Sequence, residues 1–198
     1  MGWDINVYRM DFDRLLKIHG CRSEEVLQQM VSAYCFDEFD ELDDEDEDYE
    51  EGDARLSASQ ALRNILFGEV KDNTPDPGYG DAVAAIYCAL AAEHVGDLRV
   101  AAFGITSFFT AVDAVLFERG FPSYMSDLVM GGCPMDVPVE TDGALGFLPP
   151  SECERFAREY ADRNWHGLEP GLREAVDDLL KWCRAAAKHG HGLVSVGG

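Results

Sequence analysis

Apolar residues recur at helical spacing in segment after segment of this chain, and that spacing limits the folds open to it. Val83, Ile86, Tyr87 and Leu90 share one helical face, and Ala91 and His94 prolong the stripe towards a stop at Gly96. Phe108, Phe109, Val112, Val115 and Leu116 make a second stripe, closed by Gly120. A third runs through Leu172, Val176, Leu179, Leu180, Cys183 and Ala187, in a helix expected from Leu172 to Lys188. Three shorter helices carry start signals. Ser23 precedes Glu24 and Glu25, with Val26, Leu27, Met30, Val31 and Tyr34 on one face. Ser57 and Gln60 stand in capping-box positions before Ala61, Leu62, Ile65 and Leu66. Ser151 is expected to cap the helix of "SECERFAREY", with Glu154 three residues on.

Strand signals are few. "WDINVYRM" alternates around Ile5 and Val7, "GALGFL" is short and apolar around Leu145, and "HGLVSV" is a β-branched run around Val194. Short strands set apart by runs of helices cannot form a doubly wound parallel sheet. The expectation is a predominantly helical α+β single domain over residues 1–198, with both terminal strands in one small sheet. "DNTPDPGYGD" is expected to be a turn, from its prolines and glycines.

One segment resists this pattern. Between Asp37 and Asp53 lie thirteen carboxylates (Asp37, Glu38, Asp40, Glu41, Asp43, Asp44, Glu45, Asp46, Glu47, Asp48, Glu50, Glu51 and Asp53) and no base. Like charges at that density repel one another and oppose burial, so the run is expected to be a flexible insertion. It is also the candidate partner-binding surface. It does not spell a calcium loop: counted from Asp46, position 6 is Glu51, position 12 is Ser57, and Gly52 arrives one residue late.

The net charge is −22, and the run supplies thirteen of those charges, so the remaining 181 residues are acidic in their own right. A surface of that sign repels nucleic acids and anionic membranes, and a basic protein is its electrostatic complement. The phosphate-loop, dinucleotide, zinc-protease and serine-hydrolase motifs do not occur in the sequence. Cys21, Cys35, Cys88, Cys133, Cys153 and Cys183 are spread without a cluster, which argues against a disulfide framework. Cys183, His189 and His191 lie close in sequence but lack zinc spacing, and His189 suits a helix C-terminus. Asp162 and His166 stand at i, i+4 without a nucleophile beside them. No cofactor or metal is expected, and a cytoplasmic, reduced location is.

The ends of the chain carry a further pattern. "INVYRMDFDRLLKIHGCRSEEVLQQM" gives a strand, a Leu pair, a Gly and a new helix. "GALGFLPPSECERFAREY" and "LKWCRAAAKHGHGLVSV" give a Gly-x-Leu turn into a helix, then Trp, an Ala run, Gly and a closing strand. These terminal segments resemble a family of small, acidic, uncharacterised bacterial proteins, a domain of unknown function. The resemblance implies a bacterial cytoplasmic domain and no catalytic residues. The residues themselves point to a non-catalytic binding protein, immunity-protein-like, that captures and neutralises or regulates a basic protein. Two alternatives stay open at this point: an enzyme with a site assembled from scattered His94, His166, Cys and acidic residues, or a regulatory or structural subunit.

Overall fold

The computed structural model describes residues 2–33, 56–70, 75–101, 105–122, 124–141 and 143–197. Their order is β1 (Gly2–Met10), α1 (Phe12–Ile18), α2 (Glu24–Ala33), α3 (Ala58–Phe67), α4 (Pro77–Leu90) and β2 (Glu93–Ala101). There follow α5 (Ile105–Phe117), α6 (Tyr124–Met130), β3 (Ala144–Leu148), α7 (Pro150–Glu159), a single 3-10 turn at Tyr160–Asp162, α8 (Pro170–Ala187) and β4 (Gly192–Gly197). The class is α+β and mainly helical, as the spacing predicts. The chain divides into two compact units, one of Met1–Phe12, Ala91–Gly132 and Gly143–Gly198, the other of Asp13–Leu90 and Cys133–Asp142.

The first unit holds the sheet. Its order is β2-β1-β4-β3 and every neighbouring pair is antiparallel. The two terminal strands are therefore its central pair, with Tyr8 opposite Val194. Ile5, Val7 and Leu193 are buried together with Leu179, Trp182 and Cys183 of α8, so this face of the sheet is the floor of the core. The strand β2 was not expected. Its first residues look like the end of α4, because His94 falls four residues after Leu90, in step with the helical stripe. The helix stops at Leu90, and His94 and Gly96 belong to the strand. Gly96 is there for space rather than for termination: a Cβ on it would stand 2.2 Å from Nε1 of Trp182, whose side chain is fully buried.

Aromatic rings lock the helices of this unit together. Phe156 of α7 meets Phe121, Tyr124, Tyr160 and Trp165 edge to face, with centroids 4.8 to 6.3 Å apart. Pairs of this geometry contribute about 0.5–1.5 kcal/mol each beyond the area they bury. Arg119 lies over Trp165, and Arg155 and Arg163 over Phe121, closing the rim with cation–π contacts. The N-cap of α7 is Pro149, not Ser151: Pro150 occupies the first helical position, where its missing N–H costs nothing.

In the second unit, α2 and α3 begin as their serines predict. Ser23 Oγ accepts from Val26 N at 3.3 Å and Ser57 Oγ from Gln60 N at 3.3 Å. Ala61, Leu62, Ile65 and Leu66 are all buried, as are Leu27 and Met30, while Tyr34 lies outside the described residues. Of the segment read as a turn at 72–81, residues 72–74 lie outside the described residues and Pro77 to Asp81 are helix. Asp76 Oδ1 accepts from Gly78 N at 2.8 Å, and Pro77 takes the first helical position, which together start α4 four residues before Asp81. The glycines are close approaches: Cβ atoms on Gly78 and Gly80 would meet the carbonyl oxygens of Leu56 and Glu140 at 2.2 and 2.3 Å.

Candidate functional site

A cleft of about 300 Å³ opens in the first unit where α6, the end of β3 and the start of α7 converge. Pro122, Phe147, Leu148 and Pro149 give it apolar walls. Tyr124, Asp127 and Glu152 are the polar side chains of its lining. Among the described residues no basic side chain lines it.

The three polar side chains are held by different means. Asp113, on α5 and buried, accepts from the backbone N–H groups of Met125 at 2.9 Å and Ser126 at 3.0 Å. A carboxylate there satisfies the free donors at the start of α6 and fixes the direction in which that helix leaves Phe121. Ser195 of β4 donates its hydroxyl proton to the carbonyl of Leu128 and holds α6 from below. Tyr124 is thereby placed with its hydroxyl donating to Glu152 Oε2 at 2.5 Å. Glu152 sits in the first turn of α7, where the helix dipole favours an anion, and the same oxygen is 3.5 Å from Arg155 Nη1. Burial and the Glu152 carboxylate both push the Tyr124 phenol up, so it stays a donor across the ordinary pH range.

Asp127 differs from its neighbours. It is exposed at its position on α6; its backbone carbonyl accepts from Gly131 N, but its carboxylate forms no hydrogen bond or ion pair among the described residues. Partial desolvation of its carboxyl against the cleft, and then the charges of Asp113 and Glu152, hold it above the usual carboxylate range. Each of these causes disfavours the charged form, and the attraction of a cation beside it offsets them. The cleft therefore offers one carboxylate anchored by a phenol and an arginine, and a second whose neighbours repel it, beside an apolar wall.

The residues singled out by sequence do not assemble. The acidic run from Asp37 to Asp53 lies outside the described residues. His94, read as part of a buried or boundary helix face, is exposed on β2, with Nε2 2.8 Å from Asp97 Oδ1 and its ring against Tyr8. Cys183 is buried in the core beside Cys153, whereas His189 is exposed, its ring near that of His191 with centroids 5.9 Å apart. Among the described residues no group of three or more His, Cys, Asp or Glu side chains could hold a metal ion. Asp162 and His166 are both exposed and unpaired with each other, and the backbone N–H of His166 donates to Asn164 Oδ1. Burial pushes the thiols of Cys88 and Cys183 up and that of Cys133 to about 11, which keeps them protonated and poor nucleophiles at neutral pH.

Asp127, Glu152 and Tyr124 were not found from sequence. The one trace is a lone carboxylate in the apolar run "YMSDLVM", between Met125 and Leu128.

The chain matches the model of the family described as Domain of unknown function (DUF7691) over residues 1–197 and belongs to that family. The match runs through almost the whole sequence, so the likeness is not confined to the two terminal segments. No curated protein and no solved structure matches the chain. Among the described residues no helix is long and apolar enough to cross a membrane.

Proposed function

We propose that this is a non-catalytic binding protein that captures a basic protein and neutralises or regulates it, in the manner of an immunity protein. The observation that carries the reading is the cleft, in which a carboxylate without a partner among the described residues stands beside a second carboxylate and an apolar wall, on a chain of net charge −22. Negative potential of that size accelerates the approach of a basic partner, and a concave site gives the encounter a place to end. The run from Asp37 to Asp53 adds charge to the approach. The protonated thiols and the scattered histidines weigh against an assembled catalytic site.

The test is capture from the native cytoplasm at low ionic strength, followed by stopped-flow association of whatever is retained. The expected partner is basic, and its on-rate falls steeply as added salt shortens the Debye length towards about 8 Å. Replacing Asp43, Asp44, Glu45, Asp46, Glu47 and Asp48 by Ser and Asn is expected to slow association and leave dissociation nearly unchanged. A partner whose association ignores both salt and this replacement overturns the reading.

A further inference from the structure

We propose that the cleft between α6 and α7 is a socket for one lysine side chain of the captured protein, an inference that rests on the binding-protein reading above. Its occupant follows from its mixed lining. The apolar side chains of Phe147, Leu148, Pro149 and Pro122 suit a short hydrocarbon stem, and the two carboxylates suit a positive head. A volume of about 300 Å³ is too small for a folded element and ample for one long side chain.

The arrangement of oxygens favours an ammonium over a guanidinium. Asp127 projects from the middle of α6 and Glu152 from the first turn of α7, so the acceptors come from separate elements rather than as one flat carboxylate face. Glu152 Oε2 is already engaged by the Tyr124 hydroxyl and Arg155, so this carboxylate offers no open fork for two parallel N–H bonds, and bridging it to Asp127 falls to a compact head. A compact charge with three donors can reach converging acceptors, whereas a planar guanidinium needs a bidentate one. Charge complementarity is local as well as global. Arg155 is turned to Glu152, Glu159 and the carbonyl of Gly120, and the charges that bear on Asp127 are those of Asp113 and Glu152. An ammonium beside Asp127 replaces that repulsion with attraction.

The probe is Nα-acetyl-lysine amide, titrated into the full chain at low salt and followed by backbone amide NMR shifts. The norleucine analogue, the arginine analogue and cadaverine serve as separate arms. The lysine amide is expected to shift the amides of Asp127, Gly131, Phe147 and Glu152, and norleucine, which lacks the charge, is not. Asp127→Asn is expected to weaken lysine binding about ten- to a hundredfold, the loss of one charge-assisted contact. Glu118→Gln, at an exposed site outside the cleft, is expected to leave it unchanged. Equal shifts by lysine and norleucine, or undiminished binding by Asp127→Asn, overturn the socket. Tighter binding of the arginine analogue overturns the choice of ammonium. Cadaverine binding tenfold or more above lysine amide replaces the side chain with a free diamine as the occupant. A salt-sensitive partner whose dissociation ignores Asp127→Asn removes the socket while capture stands. A salt-blind partner removes capture without touching the lysine shifts.

Discussion

Gly96→Ala tests the packing of the sheet on α8 more sharply than any truncation. A Gly inside a strand is ordinarily worse than Ala by roughly 0.5–1 kcal/mol, so an open site would make this substitution stabilising. The site is not open. The new methyl would lie 2.2 Å from Trp182 Nε1 and 2.8 Å from Cε2. Ordinary contact begins near 3.5 Å, so the indole has to retreat by about 1 Å. Trp182 is 1% exposed, in the same core as Ile5, Val7 and Leu179, and has nowhere to retreat without moving them. Overpacking of this kind costs about 1–3 kcal/mol, enough to reverse the sign expected from propensity. Urea denaturation followed by far-UV circular dichroism reads the change as a lower midpoint at unchanged slope. Trp182→Phe supplies the control, because it removes the ring edge that the methyl meets. Gly96→Ala is then expected to be nearly neutral, with about 1–2 kcal/mol of coupling between the two sites. A stabilising Gly96→Ala in the original background, or an equal cost in both, refutes the reasoning.

Three further outcomes are expected. Asp127→Asn should raise the denaturation midpoint at neutral pH: a carboxyl held high by folding lends stability only below its unfolded pKa, and loses it as pH rises through the folded value. The gain should therefore fade towards acid, and a lower midpoint at pH 7 contradicts it. Leu179→Ala and Val83→Ala remove fully buried side chains, and denaturation should record losses of about 2–4 kcal/mol for the first and somewhat less for the second; no loss at either would mean its helix faces the other way. Finally, EDTA and a thiol reductant should each leave the melting temperature within a few degrees of its original value, and a larger drop would expose a metal or disulfide contribution.

What could be read in advance was whatever depends on neighbours in sequence. Ser23 and Ser57 start their helices by bonding backbone three residues away, so their role is visible in the string. Gly96 and Gly78 do not work that way. Each is a glycine because of an atom far along the chain, Trp182 Nε1 in one case and the Leu56 carbonyl in the other, and each reads locally as a helix stop or a turn. The loss of β2 followed directly, since one strand glycine and one in-phase histidine were enough to disguise nine residues. The cleft was hidden for the same reason. Asp127 and Glu152 share no motif, and only the capping of α6 by Asp113 and the hydroxyl of Tyr124 bring them to one place. Sequence spoke for the acidic character of the chain and not for the point at which it becomes concave.

The strand order β2-β1-β4-β3 also dictates a schedule. During synthesis β1 leaves the ribosome first, and β4, its neighbour at the centre of the sheet, leaves last of the four. Until then Ile5 and Val7 have no second neighbour, and the edge of β1 that will meet β4 offers unpaired N–H and C=O groups to any other nascent chain. Among the described residues β3 has no strand to join until then, because its partner in the sheet is β4. Folding of this unit therefore waits for its final six-residue strand and is slow to begin, as pairings between distant segments are. The interval between the synthesis of β1 and that of β4 is therefore the one in which this sheet lies open to pairing with other chains.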